Sequence, residues 1–433
     1  MLRRELKWLL ARVTIPVFAA LCFAFGLTAD QLSIALAIPL ALALVLVYRL
    51  DLTNAWVAFT VPWLAVLFFS TLDLSDFSRQ VSPQTVAVIA AGLVIGLMLI
   101  PPTVPRPIGF EKRPVRKRAF RALFLVFIAF TAVNVALAGY VPLIQALTTG
   151  DSGYMDFGVK GLYGLYNAFS NAFGLTAFYF WRRDGDRAYR NAFLTVVCVF
   201  VLFVTRQNLV SLVIECFVVQ NLCMRRSSRT VIALAAAAAL TIFGVIGDIR
   251  IGTDIAEVAQ IKESAAWLPS SVVWLYSYSY FNILNLDNTV ATFVQPALDG
   301  TSLTQLLPSF VRPEGGVDDA NLIEVAAFNV TSYASPIIRD FGAGGVVAVV
   351  ALFALLTRRS LLATQRRSSF LATASYAVLY FCFAFSFFVN FWFYLPIIFQ
   401  PVFLWMFSKA LLRRPRQRTR PVPNIEHPPP AVR

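Results

Sequence analysis

Histidine is almost missing from this chain: 433 residues contain one, His427, six positions from the end. Chemistry in the body of the chain must therefore run without imidazole as base, nucleophile or metal ligand. Charge is scarce as well. Asp, Glu, Lys and Arg make up 14% of the residues, against 58% apolar or aromatic. Soluble domains carry about 25% charged residues, so a water-soluble enzyme is excluded. The five cysteines (Cys22, Cys198, Cys216, Cys223 and Cys382) have no metal-ligand spacing and sit in or beside apolar runs. They read as small hydrophobes rather than ligands or disulfides. There is no Walker motif, dinucleotide fingerprint or Ser/His/Asp arrangement, and no internal repeat. The last absence argues against a transporter built from related halves.

What is present is Phe, 39 times, and long apolar runs. A membrane helix needs about 20 mostly apolar residues. Such runs fall at Trp8–Leu27, Leu32–Tyr48, Ala55–Leu72, Thr85–Ile100, Ala122–Val141, Leu162–Trp181, Ala188–Val204, Leu209–Met224, Thr230–Ile246, Pro336–Leu356, Phe370–Val389 and Phe391–Leu412. The expected fold is all-α: a polytopic membrane helical bundle of about twelve transmembrane helices with one long periplasmic loop carrying short helices. Residues 1–412 form one transmembrane domain including loop 247–335, and 413–433 a disordered basic cytoplasmic tail.

The net charge of +14 suggests nucleic acid in a soluble protein. In a membrane protein it is first a topology signal. With the N-terminus in the cytoplasm, thirty of the 37 Lys and Arg fall inside. The two faces then carry about +23 and −9, which orients a multi-pass membrane protein with both termini cytoplasmic. The stretch Ala188–Met224 is read as two short helices turning at Thr205-Arg206-Gln207-Asn208, because one long helix would move Arg225–Arg229 and Arg358–Arg367 outside. Each helix is about 24 Å long at 1.5 Å per residue, short of a hydrocarbon core of about 30 Å. Arg206 is therefore expected below the outer surface, as a functional charge or as one that snorkels outward.

Few cations remain on the outer face. Arg250 follows Gly247-Asp248-Ile249, and Arg339 lies in Ile337-Ile338-Arg339-Asp340-Phe341-Gly342. With Arg206 they could converge on one anion; the plainer alternatives pair Arg339 with Asp340, and Arg250 with Asp248 or Asp254. Arg79, Lys262 and Arg312 are read as solvated loop residues. The 90-residue outer segment has helix-start patterns at Asp254-x-x-Glu257 and Ser302-x-x-Gln305. Between them runs Trp274-Leu-Tyr276-Ser-Tyr278-Ser-Tyr280, suited to stacking on sugars or to an interfacial aromatic belt. A second outer loop carries Asp151, Tyr154, Asp156 and Lys160. Asp184-Gly185-Asp186 is read as a solvated turn, not a metal site.

Three landmarks occur in one order: Gly139-Tyr140-Val141-Pro142-Leu143-Ile144; then Thr205-Arg206-Gln207-Asn208 between two short spans; then, after a long outer loop, Asn329-Val-Thr-Ser-Tyr333 through Arg339-Asp340-Phe341-Gly342-Ala-Gly344-Gly345 entering a span. In this the chain resembles the Wzy-type O-antigen and exopolysaccharide repeat-unit polymerases of the bacterial inner membrane, from about residue 120 to 395. The resemblance implies transfer of a growing glycan from undecaprenyl diphosphate to a second lipid-linked repeat unit on the periplasmic face. It implies no metal, nucleotide or other cofactor, and a chain-length regulator and a flippase as partners. The diphosphate needs cationic stabilisation as its charge develops, which arginine provides with a fork of donors. The expected catalytic set is Arg206, Arg250, Arg339, Asp248 and Asp340, with Asp254 and Glu324 further candidates for a base. Tyr333, Tyr276, Tyr278, Tyr280, Lys160 and Glu324 are expected to contact the glycan. Two other activities suit the same architecture: an O-antigen ligase, disfavoured because such ligases are associated with an outer-face histidine, and a transporter or flippase for a lipid-linked or acidic solute.

Overall fold

A computed structural model describes residues 2–103, 107–149, 153, 156–159, 161–224, 255–308, 310–312 and 322–413. Among these residues the chain is helical, with two isolated β-bridges, Ser75 to Ile261 and Val115 to Leu412. The helices are α1 (Leu2–Ala24), α2 (Ala29–Leu46), α3 (Ala55–Ser70), α4 (Pro83–Leu99), α5 (Lys117–Ala138), α6 (Pro142–Thr149), α7 (Tyr163–Asp184), α8 (Arg187–Leu202) and α9 (Arg206–Cys223). After α9 come α10 (Ile255–Val258), α11 (Ser270–Thr292), α12 (Ala334–Arg367), α13 (Phe370–Ala384), α14 (Leu395–Ile398) and α15 (Gln400–Leu411). The expected spans within the described residues each fall on a helix, or on the short 391–393 turn with α14 and α15; Thr230–Ile246 lies outside them.

Among the described residues, four helical stretches are long and apolar enough to cross a membrane: Glu5–Ala24, Ala29–Leu46, Lys117–Thr149 and Ala334–Arg367. Several shorter apolar helices accompany them. Their surfaces invert the soluble pattern. Leu6, Leu9, Leu10, Val13, Val17 and Leu21 of α1 are exposed, as are Leu125, Val126, Val133 and Leu137 of α5. These residues recur every three or four positions, so each helix turns an apolar stripe outward. The interior meanwhile holds polar groups, including Asn171, Thr176, Asn208, Ser211 and Glu215. Apolar residues outside and polar residues inside fit a lipid solvent, in which polar groups must be satisfied within the protein.

α7 and α13 form the centre. Nearly every residue from Tyr166 to Phe180 is buried, and α13 is buried along most of its length. α13 packs on α3, α9, α12 and α15, while α7 packs on α5, α8, α9, α14 and α15. A ladder of rings fills the space beside α7: Phe120, Phe124, Phe127, Phe169 and Phe173 lie with centroids 5.4–6.5 Å apart.

Hydrogen bonds between non-adjacent segments sort the helix ends into two sets. At one end Ile108 N donates to Leu222 O, Ser368 Oγ to Ile108 O, and Arg116 N to Leu411 O. At the other, Tyr333 N donates to Ser386 O, Asn282 Nδ2 to Phe388 O, and Ser82 Oγ to Asp287. The α8–α9 turn belongs to this second end. That turn is tight: α8 stops at Leu202, Val204 takes φ 55°, and Arg206 is the first residue of α9. The bend thus falls at Phe203–Thr205, two residues earlier than the sequence suggested, and Gln207 and Asn208 are helical.

Candidate functional site

The second end is capped by α11, the 293–312 segment and the turn at residues 385–394. α11 is too polar to count among the candidate spans and packs over α3, α4 and α12. Helical spacing sorts its aromatic residues into two i, i+4 stacks on different faces. Tyr276 and Tyr280 lie parallel at 5.3 Å, and Trp274 and Tyr278 at 5.5 Å. The first stack faces inward. Tyr276 OH donates to Leu72 O, and Tyr280 OH accepts from Arg79 N at 2.8 Å. Burial pushes the Tyr276 phenol up to about 12. Both rings are fully buried, so neither offers a face to a sugar, and their expected role as binding residues becomes one of fastening loop 71–82 to α11. Tyr278 keeps a partly exposed edge.

Beyond this stack, α11 carries a carboxylate with several donors. Asp287 Oδ1 accepts from Ser82 N at 2.9 Å, Ser82 Oγ at 2.6 Å and Thr85 Oγ1 at 2.7 Å, while Oδ2 pairs with Arg79 Nη1 at 2.8 Å. Burial opposes its ionisation, but these donors outweigh burial and hold the carboxyl below its ordinary value. Arg79 also reaches Asn288 Oδ1 at 2.5 Å and Glu324 at 3.5 Å, and Asn288 donates to Glu324 at 3.0 Å. Arg79 is exposed, as expected, yet it stands at the hub of a network rather than free in solvent. Lys262, also expected to be solvated, bridges to Asp73.

A second network surrounds Arg339. Gly342 takes φ 67° and ψ −174° inside α12, a conformation open to glycine but not to a residue with a Cβ. The break frees the carbonyls of Arg339 and Asp340, which accept from Ala297 N at 2.8 Å and Leu298 N at 3.1 Å. The 293–312 segment is thereby docked on α12. Arg339 Nε pairs with Asp340 Oδ1 at 3.0 Å, with both residues buried. Asp340 Oδ2 accepts from Ser302 N at 2.7 Å and Ser302 Oγ at 2.5 Å. Ser302 is therefore not a helix cap: Gly300 starts that short turn, and the serine serves the carboxylate instead. Asp299 is held below its ordinary value, first by the Thr301 hydroxyl and amide and further by Arg339.

Tyr333 lies below this layer, 1% exposed. It packs edge-on against Trp63 and Trp392, at 6.0 and 4.8 Å, and against Phe59 at 5.9 Å. The expected sugar contact is replaced by packing, because its ring is enclosed.

Arg206 differs from Arg79 and Arg339. It is exposed, and no carboxylate among the described residues lies within ion-pair distance. Tyr394 lies near both the adjacent Gln207 and Arg312, and the 301–306 turn packs on the 391–398 stretch that carries it. Arg312 in turn donates to Thr304 O at 3.2 Å and Leu307 O at 3.3 Å. The 301–312 segment thus joins two parts of the cap: Ser302 holds Asp340, and Arg312 lies beside Tyr394. Sequence reasoning passed over Ser302, Arg312 and Tyr394 as site residues. Their signal is that they flank Pro-rich or aromatic turns, which does not distinguish them from ordinary loop residues.

Arg250, Asp248, Lys160 and Asp254 lie outside the described residues. The Asp184–Asp186 turn is structural: Asp186 accepts from Ala188 N and pairs with Lys117, and Asp184 pairs with Arg183. Among the described residues no group of His, Cys, Asp and Glu could hold a metal ion. Comparison with known protein families, curated proteins and solved structures finds no match.

Proposed function

We propose that this protein is a twelve-span inner-membrane glycosyltransferase. It would polymerise undecaprenyl-diphosphate-linked repeat units into O-antigen, capsular or exopolysaccharide on its periplasmic side. The Arg206 end is the periplasmic face in this reading. The observation that carries the reading is Arg206: an exposed guanidinium with no acidic partner among the described residues, at the head of α9, on the end closed by the 301–312 segment.

The chemistry follows from the donor. The acceptor hydroxyl attacks the anomeric carbon, the bond from that carbon to the diphosphate oxygen breaks, and undecaprenyl diphosphate leaves with the electron pair. Arg206, assisted by Arg312, stabilises the charge growing on the leaving group. Arg339 is already neutralised by Asp340, so its part is to hold the 301–312 segment in place. Of the carboxylates proposed to accept the hydroxyl proton, Asp340 has both oxygens engaged. Glu324 keeps a partly exposed side chain and is the better base. Purified protein supplied with lipid-linked repeat units tests this. Extension to a ladder of longer glycans is expected, whereas passage across vesicles without extension would instead establish a flippase.

A further inference from the structure

At the opposite end of the bundle, the 107–116 segment and the adjoining ends of α5, α7 and α8 enclose a groove of about 530 Å³. Four cations line it, Lys112, Arg113, Lys117 and Arg183, against two acids, Glu111 and Asp184. The acids are engaged. Glu111 pairs with Arg113 Nε and accepts from Phe370 N at 2.8 Å. Asp184 is forked by Arg183 through Nε and Nη2, both at 2.7 Å. Arg183 is engaged too, since its Nη1 donates to the carbonyls of Glu111 and Arg113. It works as a strut that holds the groove wall.

Spare donors remain. Lys112 is exposed and has no acidic partner among the described residues. Among the described residues Arg113 donates through Nε alone, which leaves its terminal nitrogens for a ligand. Lys117 leans on Asp186 at 2.8 Å, a contact that keeps it firmly cationic, but its side chain is 68% exposed. A fourth donor is built into the wall. Tyr189 is 2% exposed, its ring fixed edge-on by Phe120 at 4.6 Å, and its hydroxyl has no hydrogen-bond partner among the described residues. A buried hydroxyl without a partner is costly unless something else satisfies it. Positive charge, spare N–H donors and one O–H in a wall describe a receptor for a phosphate group.

The groove also borders lipid. Lys117 opens α5, whose outward stripe of Leu125, Val126, Val133 and Leu137 begins two turns further on. A phosphate seated in the groove can therefore carry acyl chains down that stripe. We propose that this groove binds a phosphate group, that of an anionic lipid headgroup being the one its position favours, through Lys112, Arg113, Lys117 and the Tyr189 hydroxyl. The site is at the far end of the bundle from Arg206 and is independent of the polymerase reading.

The test uses the full chain in nanodiscs of phosphatidylcholine doped with spin-labelled phosphatidylglycerol, and measures the fraction of label immobilised. Juxtamembrane cations contribute about 1 kcal/mol each to anionic lipid binding, or about fivefold in affinity. The variant Lys112→Gln/Arg113→Gln/Lys117→Gln should lose about that factor per residue, and Tyr189→Phe about threefold. Arg358→Gln/Arg359→Gln, on the separate basic face of α12, should leave the fraction unchanged. A parallel titration of inorganic phosphate into phosphatidylcholine nanodiscs separates the sources: saturable binding lost in the triple variant would make free phosphate the occupant. The proposal is overturned if the triple variant keeps both the lipid preference and any phosphate affinity, or if the α12 variant loses as much.

Discussion

Two arginines at one end of this bundle have opposite surroundings. Arg339 is buried, paired with Asp340, and tied through that carboxylate to Ser302. Arg206 stands exposed at the head of α9 with no carboxylate beside it among the described residues. Sequence position alone suggested that both could bind an anion. The structure separates them by electrostatic bookkeeping: one positive charge is spent inside the protein, and the other remains for a ligand. Removing Arg339 should therefore damage the fold, and removing Arg206 should damage the chemistry.

The largest stability effect is expected at Arg339. Arg339→Ala strands Asp340 in a buried site, and breaking a buried pair in this way costs about 3–5 kcal/mol. Thermal unfolding in detergent should show it, and Arg339→Ala/Asp340→Ala should cost less than the sum of the single variants. If the two variants add, the pair is not a unit. Asp287 comes next. Asp287→Asn keeps the shape but removes the charge that faces Arg79, at a cost of about 1–3 kcal/mol. Its carboxyl is held below the ordinary value in the folded state. The unfolded chain therefore takes up the proton first as pH falls, and the contribution is full above about pH 4 and lost below it. Unfolding followed from pH 6 to pH 3 should fall less steeply in Asp287→Asn.

A smaller effect tests the packing under the cap. A Cβ on Gly92 would lie 2.3 Å from the Tyr333 hydroxyl, whose ring has no room to retreat between Trp63 and Trp392. Gly92→Ala should cost about 1–3 kcal/mol, and adding Tyr333→Phe should restore much of it. Tyr333→Phe alone should be close to neutral, since the hydroxyl has no partner to lose. If Tyr333→Phe instead abolished glycan extension at unchanged stability, the tyrosine would be a binding residue after all.

The membrane character and the helical hairpin at Arg206 were legible in the sequence because both are local signals. An apolar run marks a helix, and Arg206-Gln207-Asn208 interrupts one. The pairing of Arg339 with its neighbour Asp340 was also open to view. The cap was not. Trp274, Tyr276, Tyr278 and Tyr280 alternate in the sequence, yet a helix turns them to different sides, and what covers Tyr276 and Tyr280 comes from residues 72 and 79. The Arg79–Asp287 pair spans 208 positions, a separation that no local pattern reports. The helix expected to open at Asp254-x-x-Glu257 is similarly short within the described residues. α10 ends at Val258, Gln260 takes φ 46°, and the bridge from Ile261 to Ser75 draws the chain into the cap.

The most direct measurement is glycan extension by purified Arg206→Ala protein with lipid-linked repeat units, beside its thermal stability. An exposed residue outside any network should change stability by no more than about 0.5 kcal/mol. The prediction is a stable protein that no longer extends the glycan, and Arg206→Lys should recover only part of the rate because it lacks the fork. Full-length ladders from a normally folded Arg206→Ala protein would contradict the account.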